Sequence, residues 1–370
     1  MIYLDSAATS YYKPPSVPAA VLAALRRSGS PGRGSHILAA EAAETVFRCR
    51  EEAAALFHMK DPAAVVFTMN ATHALNIAVR SLVRPGDRVV ISGWEHNAVV
   101  RPLYALGAEC DVARAPLFDR EAVLHAFAAR LPGARAAVCT HMSNVFGFVL
   151  PAEEIAALCR EANVPLILDA SQSAGVMDID FEALGAAYIA MPGHKGLMGP
   201  QGTGLLLCRE PGEPLICGGT GSLSAERGMP ELLPERHEAG TVNVPGIAGL
   251  RAGIAFVRSL GTEHIRRRED EQLSLLCGAL SGAPGLRLFT SAKNQHSVLS
   301  LQPLHGSAER MGERLGAAGI AVRAGLHCAP LAHQSAGTFP DGTVRLSLSP
   351  FLRREELMQA ADVIQKTASE

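Results

Sequence analysis

The residue in the most reactive setting is Lys195. It lies in MPGHKGLMGPQGTG (191–204), which holds Gly193, Gly196, Gly199, Gly202 and Gly204 together with Pro192 and Pro200. Helix and strand interiors avoid glycine and proline at that density. The stretch is therefore predicted to be a loop that needs unusual backbone angles or close backbone approach. No carboxylate neighbours the lysine in sequence. Its amine is either an exposed charge or a nucleophile, and this stretch alone leaves both open.

Three further patches carry polar side chains just beyond apolar runs. In FTMNATHALN (67–76) a strand gives way to a helix beginning near Thr72. The free amides and positive dipole end of a helix N-terminus suit a phosphate, although Thr72 could equally be an ordinary cap. In SGWEHNAVVRPL (92–103), His96 follows another strand and could be a plain core or surface histidine. In LILDASQSAG (166–175) an apolar strand runs directly into Asp169, with Gln172 one turn on. A carboxylate at a buried strand end costs several kcal/mol unless it meets a cation; the alternative is an aspartate capping the next turn. Together, a lysine, a phosphate cradle, a buried aspartate and a flat side chain are what pyridoxal phosphate needs: an amine for its aldehyde, and a carboxylate that keeps the pyridine nitrogen protonated.

The eight cysteines include no C-x-x-C pair, which excludes the usual zinc and small disulfide frameworks. Most read as small buried hydrophobes. Cys328 differs, because VRAGLHCAP (322–330) sets it after a histidine among glycines and polar residues. That is the setting of a reactive thiolate, in a loop expected to be mobile. The 370 residues are 48% hydrophobic and 19% charged, with a net charge of −2 and no long charged run. Nothing here suits nucleic acid or an anionic membrane. No apolar run reaches membrane-spanning length, and MIYLDSAATS has no signal- or transit-peptide pattern, so a cytoplasmic location is expected.

The elements that must position these residues alternate. Runs such as AAVVF (63–67), DRVVIS (87–92), AAVCTH (136–141), VPLILDA (164–170), AAYIAM (186–191) and GTGLLLC (202–208) read as buried strands. THALNIAVRSLV (72–83), DREAVLHAFAARL (119–131) and PAEEIAALCREA (151–162) read as helices between them. The alternation predicts an α/β fold with a mostly parallel central sheet, whose strand ends bind the ligand. Beyond the long helical stretches, RLFT, SVLSLQP, IAVRAG and GTVRLSL predict a smaller α+β domain. The expected division is a large domain over 15–250 and a small one over 251–370, joined by an N-terminal arm, 1–14. The charged run RRRED is read as a solvated helix face.

In order, LDSAATS (4–10), SPGRGSH (30–36), the histidine, D-x-x-Q, G-H-K, E-A-G-T, R-x-G-x-H-C and GTVRLSLSPF (342–351) make the chain resemble the cysteine desulfurases, within the class V aminotransferase-like, fold-type I pyridoxal phosphate enzymes. The resemblance implies that Lys195 carries the cofactor's aldehyde and that Asp169 partners the pyridine nitrogen. It implies that Gln172 bonds the ring hydroxyl and His96 stacks on the ring. Thr72, with Ala71 beside it, and His194 fall on the phosphate side. Thr241, in HEAGTVNVPG, is similar to a threonine that reaches the phosphate of the other subunit, which implies a homodimer with shared sites. Asn144, Arg323 and Arg345 match substrate-side residues, the last clamping the substrate carboxylate with a planar fork. Cys328 matches the cysteine that takes sulfur from L-cysteine as a persulfide, leaves L-alanine and passes sulfur to an acceptor protein. Sulfur mobilisation of this kind includes iron–sulfur cluster assembly.

The chain departs from the family pattern at Pro192, where Ser or Thr usually meets the phosphate, and at Ala71, Ser6 and Leu352. Two rival readings share the scaffold. One is a lyase for selenocysteine, cysteine sulfinate or another β-substituted amino acid. The other is a non-catalytic sulfur-acceptor scaffold, against which the joint presence of Lys195, Asp169, His96 and Cys328 argues.

Overall fold

In the computed structural model, residues 1–32 and 34–369 are described; Arg33, inside SPGRGSH, and Glu370 lie outside the described residues. The chain opens with a short strand, β1 (Ile2–Tyr3). The main sheet follows: β2 (Val65–Thr68), β3 (Arg88–Ser92), β4 (Glu109–Ala113), β5 (Ala136–Thr140), β6 (Leu166–Asp169), β7 (Tyr188–Pro192) and β8 (Gly204–Cys208). Its order is β2-β8-β7-β6-β5-β3-β4. The pairs from β7 through β6, β5 and β3 to β4 are parallel, whereas β8 runs antiparallel to both its neighbours. The sheet is therefore mostly parallel with one reversed strand.

Both faces are covered, which explains why these strands read as continuous apolar runs rather than alternating ones. Along β6, Leu166 and Leu168 join one core with Cys139, Ile189 and Trp94. Ile167 points the other way, into a second core with Leu75, Val89 and Tyr188. The helix over Ala71–Leu82 begins one residue before Thr72, because the Asn70 side chain caps it by accepting from the His73 amide. Strand β4 and its exposed start escaped the sequence reading.

The second sheet has the order β12-β13-β10-β9, built from β9 (Leu286–Phe289), β10 (Val298–Pro303), β12 (Arg323–Gly325) and β13 (Thr343–Ser347). The two-residue β11 (Ile320–Ala321) pairs in parallel with β1. This core includes Ile2 and Leu4 of the arm. The helix Val244–Leu260 runs unbroken through residue 250, so a division there would fall inside one element.

The reading of RRRED as a solvated face holds for Arg266, Arg267 and Arg268, which are exposed, but needs correction at Glu269. Within the helix Thr262–Leu280, Glu269 is buried. It approaches Nε2 of buried His296 at 3.0 Å, while Asp270 approaches Nδ1 at 2.7 Å. Burial opposes charge on this ring, but the two carboxylates outweigh it and hold its pKa up to about 9.

Candidate active site

The glycines around Lys195 are explained by close packing. A Cβ at Gly196 would lie 2.3 Å from the carbonyl oxygen of Ala174, and one at Gly175, whose φ is +87°, would lie 2.4 Å from the carbonyl oxygen of Gly196. The loop carrying Lys195 and the loop that follows Asp169 thus cross backbone against backbone. Side chains at either position would push them apart. The N-terminal arm braces the same loop: the Ser10 hydroxyl donates to the carbonyls of His194 and Lys195, and the Lys13 amine donates to Ser10 and to His194.

One cavity collects most of the expected residues. Its wall includes Ala71, Thr72, His96, Asn144, Asp169, Gln172, His194 and Lys195, and also Pro192. Asp169 ends β6, only 2% exposed, and accepts from the Ser171 amide at 2.9 Å. Burial pulls the Lys195 amine down; Asp169 resists, and Arg345 and Arg323 push it further, leaving its pKa at about 8. The His96 ring caps the helix Asn97–Leu106, accepting the Ala98 amide at Nδ1. Burial dominates over the Asp169 charge and lowers its pKa to about 4, so it is neutral near pH 7. Burial, with Lys195 and Lys13 adding repulsion, does the same to His194, whose Nδ1 meets the Thr9 hydroxyl at 3.0 Å. Gln172 donates to the carbonyl of Ala7.

These groups fit pyridoxal phosphate. On the same wall, the amides of Ala71 and Thr72 meet no acceptor among the described residues and begin a twelve-residue helix. Free first-turn amides and a positive helix end are a ready anion site. A lysine of depressed pKa and a buried carboxylate, which would accept from a protonated ring nitrogen, complete the set of groups that such a cofactor requires.

Other expected residues lie around this cavity rather than on its wall. Arg345 is 2% exposed; its guanidinium donates to the carbonyl of Asn144 at 3.0 Å and to Asp5 at 2.7 Å. Arg323 is exposed on β12, directly across from Arg345. Thr241 is exposed on a separate groove with Arg50 and Glu238, away from Lys195.

Cys328 is exposed, whereas Cys49, Cys139, Cys159 and Cys208 are buried and Cys110 and Cys277 partly so. Burial pushes the Cys49 and Cys159 thiols up to about 12. Cys217 is also exposed. The loop expected to be mobile makes three contacts with its surroundings. The Asn97 amide donates to the carbonyl of Cys328 at 2.7 Å, Asn144 donates its side-chain amide to the carbonyl of His327 at 2.9 Å, and the buried His327 ring meets Thr343. His327 and Cys328 both adopt positive φ, 49° and 57°, a strained pairing for residues with side chains.

Sequence reasoning missed Asp5, Ser10, Lys13 and Glu95. Glu95 is completely buried; its Oε1 accepts from the Ser92 hydroxyl at 2.5 Å and the Thr140 amide at 2.7 Å, while Oε2 has no partner. Burial raises its pKa to about 8, with the charge of Asp169 adding to the effect. The signal was a carboxylate directly before His96, four residues past the apolar run that ends at Ile91.

The fold and the lysine–carboxylate cavity define a fold-type I α/β enzyme. The chain belongs to the aminotransferase class-V family, whose model matches residues 2–359, and within it to the cysteine desulfurase family. A probable cysteine desulfurase of Methanothermobacter thermautotrophicus is 31% identical over 99% of this chain and 94% of that protein. One from Xylella fastidiosa is 33% identical over 96% of this chain and 88% of that protein. The apo structure of a cysteine desulfurase from Thermococcus onnurineus NA1 superposes with a TM-score of 0.91 at 28% identity, covering 100% of this chain and 94% of that one.

Proposed function

We propose that this chain is a pyridoxal-phosphate-dependent cysteine desulfurase that converts L-cysteine to L-alanine and carries the sulfur on Cys328 as a persulfide. The observation that carries the reading is the tie between the two reactive residues. Lys195 and His96 share one cavity, and the residue after His96 holds the backbone of an exposed cysteine.

In this reading Lys195 holds the cofactor through its amine, Asp169 its ring nitrogen, Gln172 its ring hydroxyl and His96 its ring face. Ala71, Thr72 and His194 take the phosphate, with Thr241 of a second copy. Once bound, the cofactor supplies a sink for electrons released at the substrate α-carbon. Lys195, whose pKa of about 8 leaves roughly a tenth to a fifth of the amine neutral near physiological pH, far more than an ordinary lysine, accepts the α-proton. Arg345 and Arg323 hold the carboxylate, with Asn144 beside them. The Cys328 thiolate attacks the substrate sulfur. An S–S bond forms as the C–S bond breaks, the bonding pair stays with the β-carbon, and that carbon gains a proton to become the methyl group of alanine. An acceptor thiol then takes the terminal sulfur.

A homodimer with shared sites is part of this proposal. Leu22, Leu25, Ile37, Leu38 and Phe47 are exposed on the helices Ser16–Arg27 and Ile37–Leu56, an apolar surface that a second copy would cover. The division into large and small domains, and a cytoplasmic site of action, belong to the same reading. Among the described residues, no helix is long and apolar enough to cross a membrane. The test is incubation of the purified protein with L-cysteine and a reductant: sulfide and alanine should appear in equal amounts, and alanine without sulfide would overturn the reading.

A further inference from the structure

Arg345 is poorly matched to its surroundings. A guanidinium has five N–H donors, and here one bond goes to the carbonyl of Asn144 and one to Asp5, while the buried Nε has no partner. An unpaired buried donor costs ~1–3 kcal/mol. Arg323 stands directly opposite on the neighbouring strand, and like charges at such a pair repel. Among the described residues, Asp5 is the one carboxylate ion-paired with Arg345. Arg345 thus has one resident anion, with a second arginine on the facing strand, which leaves room for another carboxylate.

Asp5 is not a loose surface group that steps aside. Its arm is stitched to β13 and β11: the Leu4 amide donates to Ala321, the Ser347 amide donates to Leu4, and Asp5 itself bridges to Ser347. The Ala8 amide and the Tyr3 hydroxyl both donate to the carbonyl of Asp5. The carboxylate is therefore fixed on the guanidinium. An amino-acid carboxylate arriving at the same guanidinium meets this negative charge whether it displaces Asp5 or sits beside it.

Resting on the desulfurase reading, we propose that Asp5 is a specificity-determining residue: a resident carboxylate that weakens the hold of Arg345 on the carboxylates of both L-cysteine and L-alanine, so that product leaves readily. A purely positioning role has the opposite sign, since losing the support of Asp5 would then weaken substrate binding. Asp5→Asn separates the two, because asparagine keeps an acceptor oxygen and removes the charge.

For the Asp5→Asn holoenzyme, KM for L-cysteine and the inhibition constant of L-alanine should both fall about tenfold, a typical coupling between interacting sites. Binding of cysteamine, which has the amine and thiol but no carboxylate, should not change. Calorimetric binding of propionate to the cofactor-free protein should tighten by the same factor, a readout independent of turnover. Asp5→Ser repeats the test if the asparagine variant is not recovered folded. A raised or unchanged KM, or a cysteamine shift equal to that of cysteine, would overturn the proposal. Absence of sulfide from L-cysteine in the unsubstituted protein would instead overturn the desulfurase reading, while the propionate measurement still decides the role of Asp5.

Discussion

The backbone amide of Asn97 donates to the carbonyl of Cys328 at 2.7 Å. This bond links the residue after His96, on the cavity wall, to the exposed cysteine on a different part of the fold. It fixes the left-handed turn at Cys328, which would otherwise relax. Cys328 is thus positioned by backbone contacts, and its side chain stays exposed.

Cys328→Ala should abolish sulfide release from L-cysteine, a loss on the order of 10²-fold or more, as for removal of other nucleophiles. Cofactor binding should be unaffected, because Cys328 does not line the cavity around Lys195. Parallel assays with selenocysteine and cysteine sulfinate check the related-lyase reading, which expects those activities to survive and to exceed the unsubstituted protein's turnover of cysteine.

Asn144→Ala removes the side-chain bond to the carbonyl of His327. Leaving that carbonyl unpaired costs ~1–3 kcal/mol, and a misplaced thiol slows the transfer. The expected result is a kcat lowered about tenfold or more through misplacement, out of proportion to any loss of pyridoxal phosphate affinity from the shared cavity wall. Steady-state kinetics alongside a cofactor titration measure both.

The rate of pyridoxal phosphate uptake by cofactor-free protein should follow deprotonation of Lys195. Below pH 8 it should rise about tenfold per pH unit and level off above, whereas an ordinary lysine would keep gaining to above ~10. Asp169→Asn removes the charge that holds the amine up, so the midpoint should move below 8. Stopped-flow absorbance across a pH series reads the midpoint.

Glu95 binds its proton more tightly in the folded chain, at about 8 against an ordinary value of 4.5. Its stabilising contribution is complete below pH 4.5 and is lost as the pH climbs through about 8. Glu95→Gln keeps the shape and removes the titration. The variant should melt near the unsubstituted protein at pH 5 and roughly 5 °C above it at pH 8.5, given typical melting entropies. Thermal melts of the two proteins at both pH values check this.

Much of this site was legible because it sits where apolar runs stop. VPLILDA ended at a carboxylate, and the sheet places that carboxylate at the end of β6. The glycine density around Lys195 correctly announced close approach, and Gly175 against Gly196 supplies the reason. What stayed hidden depends on partners distant in sequence. Nothing near RRRED reveals that Glu269 turns inward to His296, and nothing in the arm reveals that Asp5 reaches Arg345 across 340 positions. The reversed direction of β8 was invisible for the same reason, since a strand buried on both faces has the same composition in either direction. The contacts to the cysteine loop stayed hidden too, since glycine and proline mark irregular backbone without showing what it bonds to.

The central claim is that Cys328 receives the sulfur of L-cysteine. Its most direct test is mass spectrometry of peptides after one turnover with L-cysteine and cofactor, without reductant or acceptor. The account predicts one additional sulfur atom on the peptide containing Cys328. Finding that sulfur on the Cys217 peptide, or on no peptide while alanine accumulates, would contradict it.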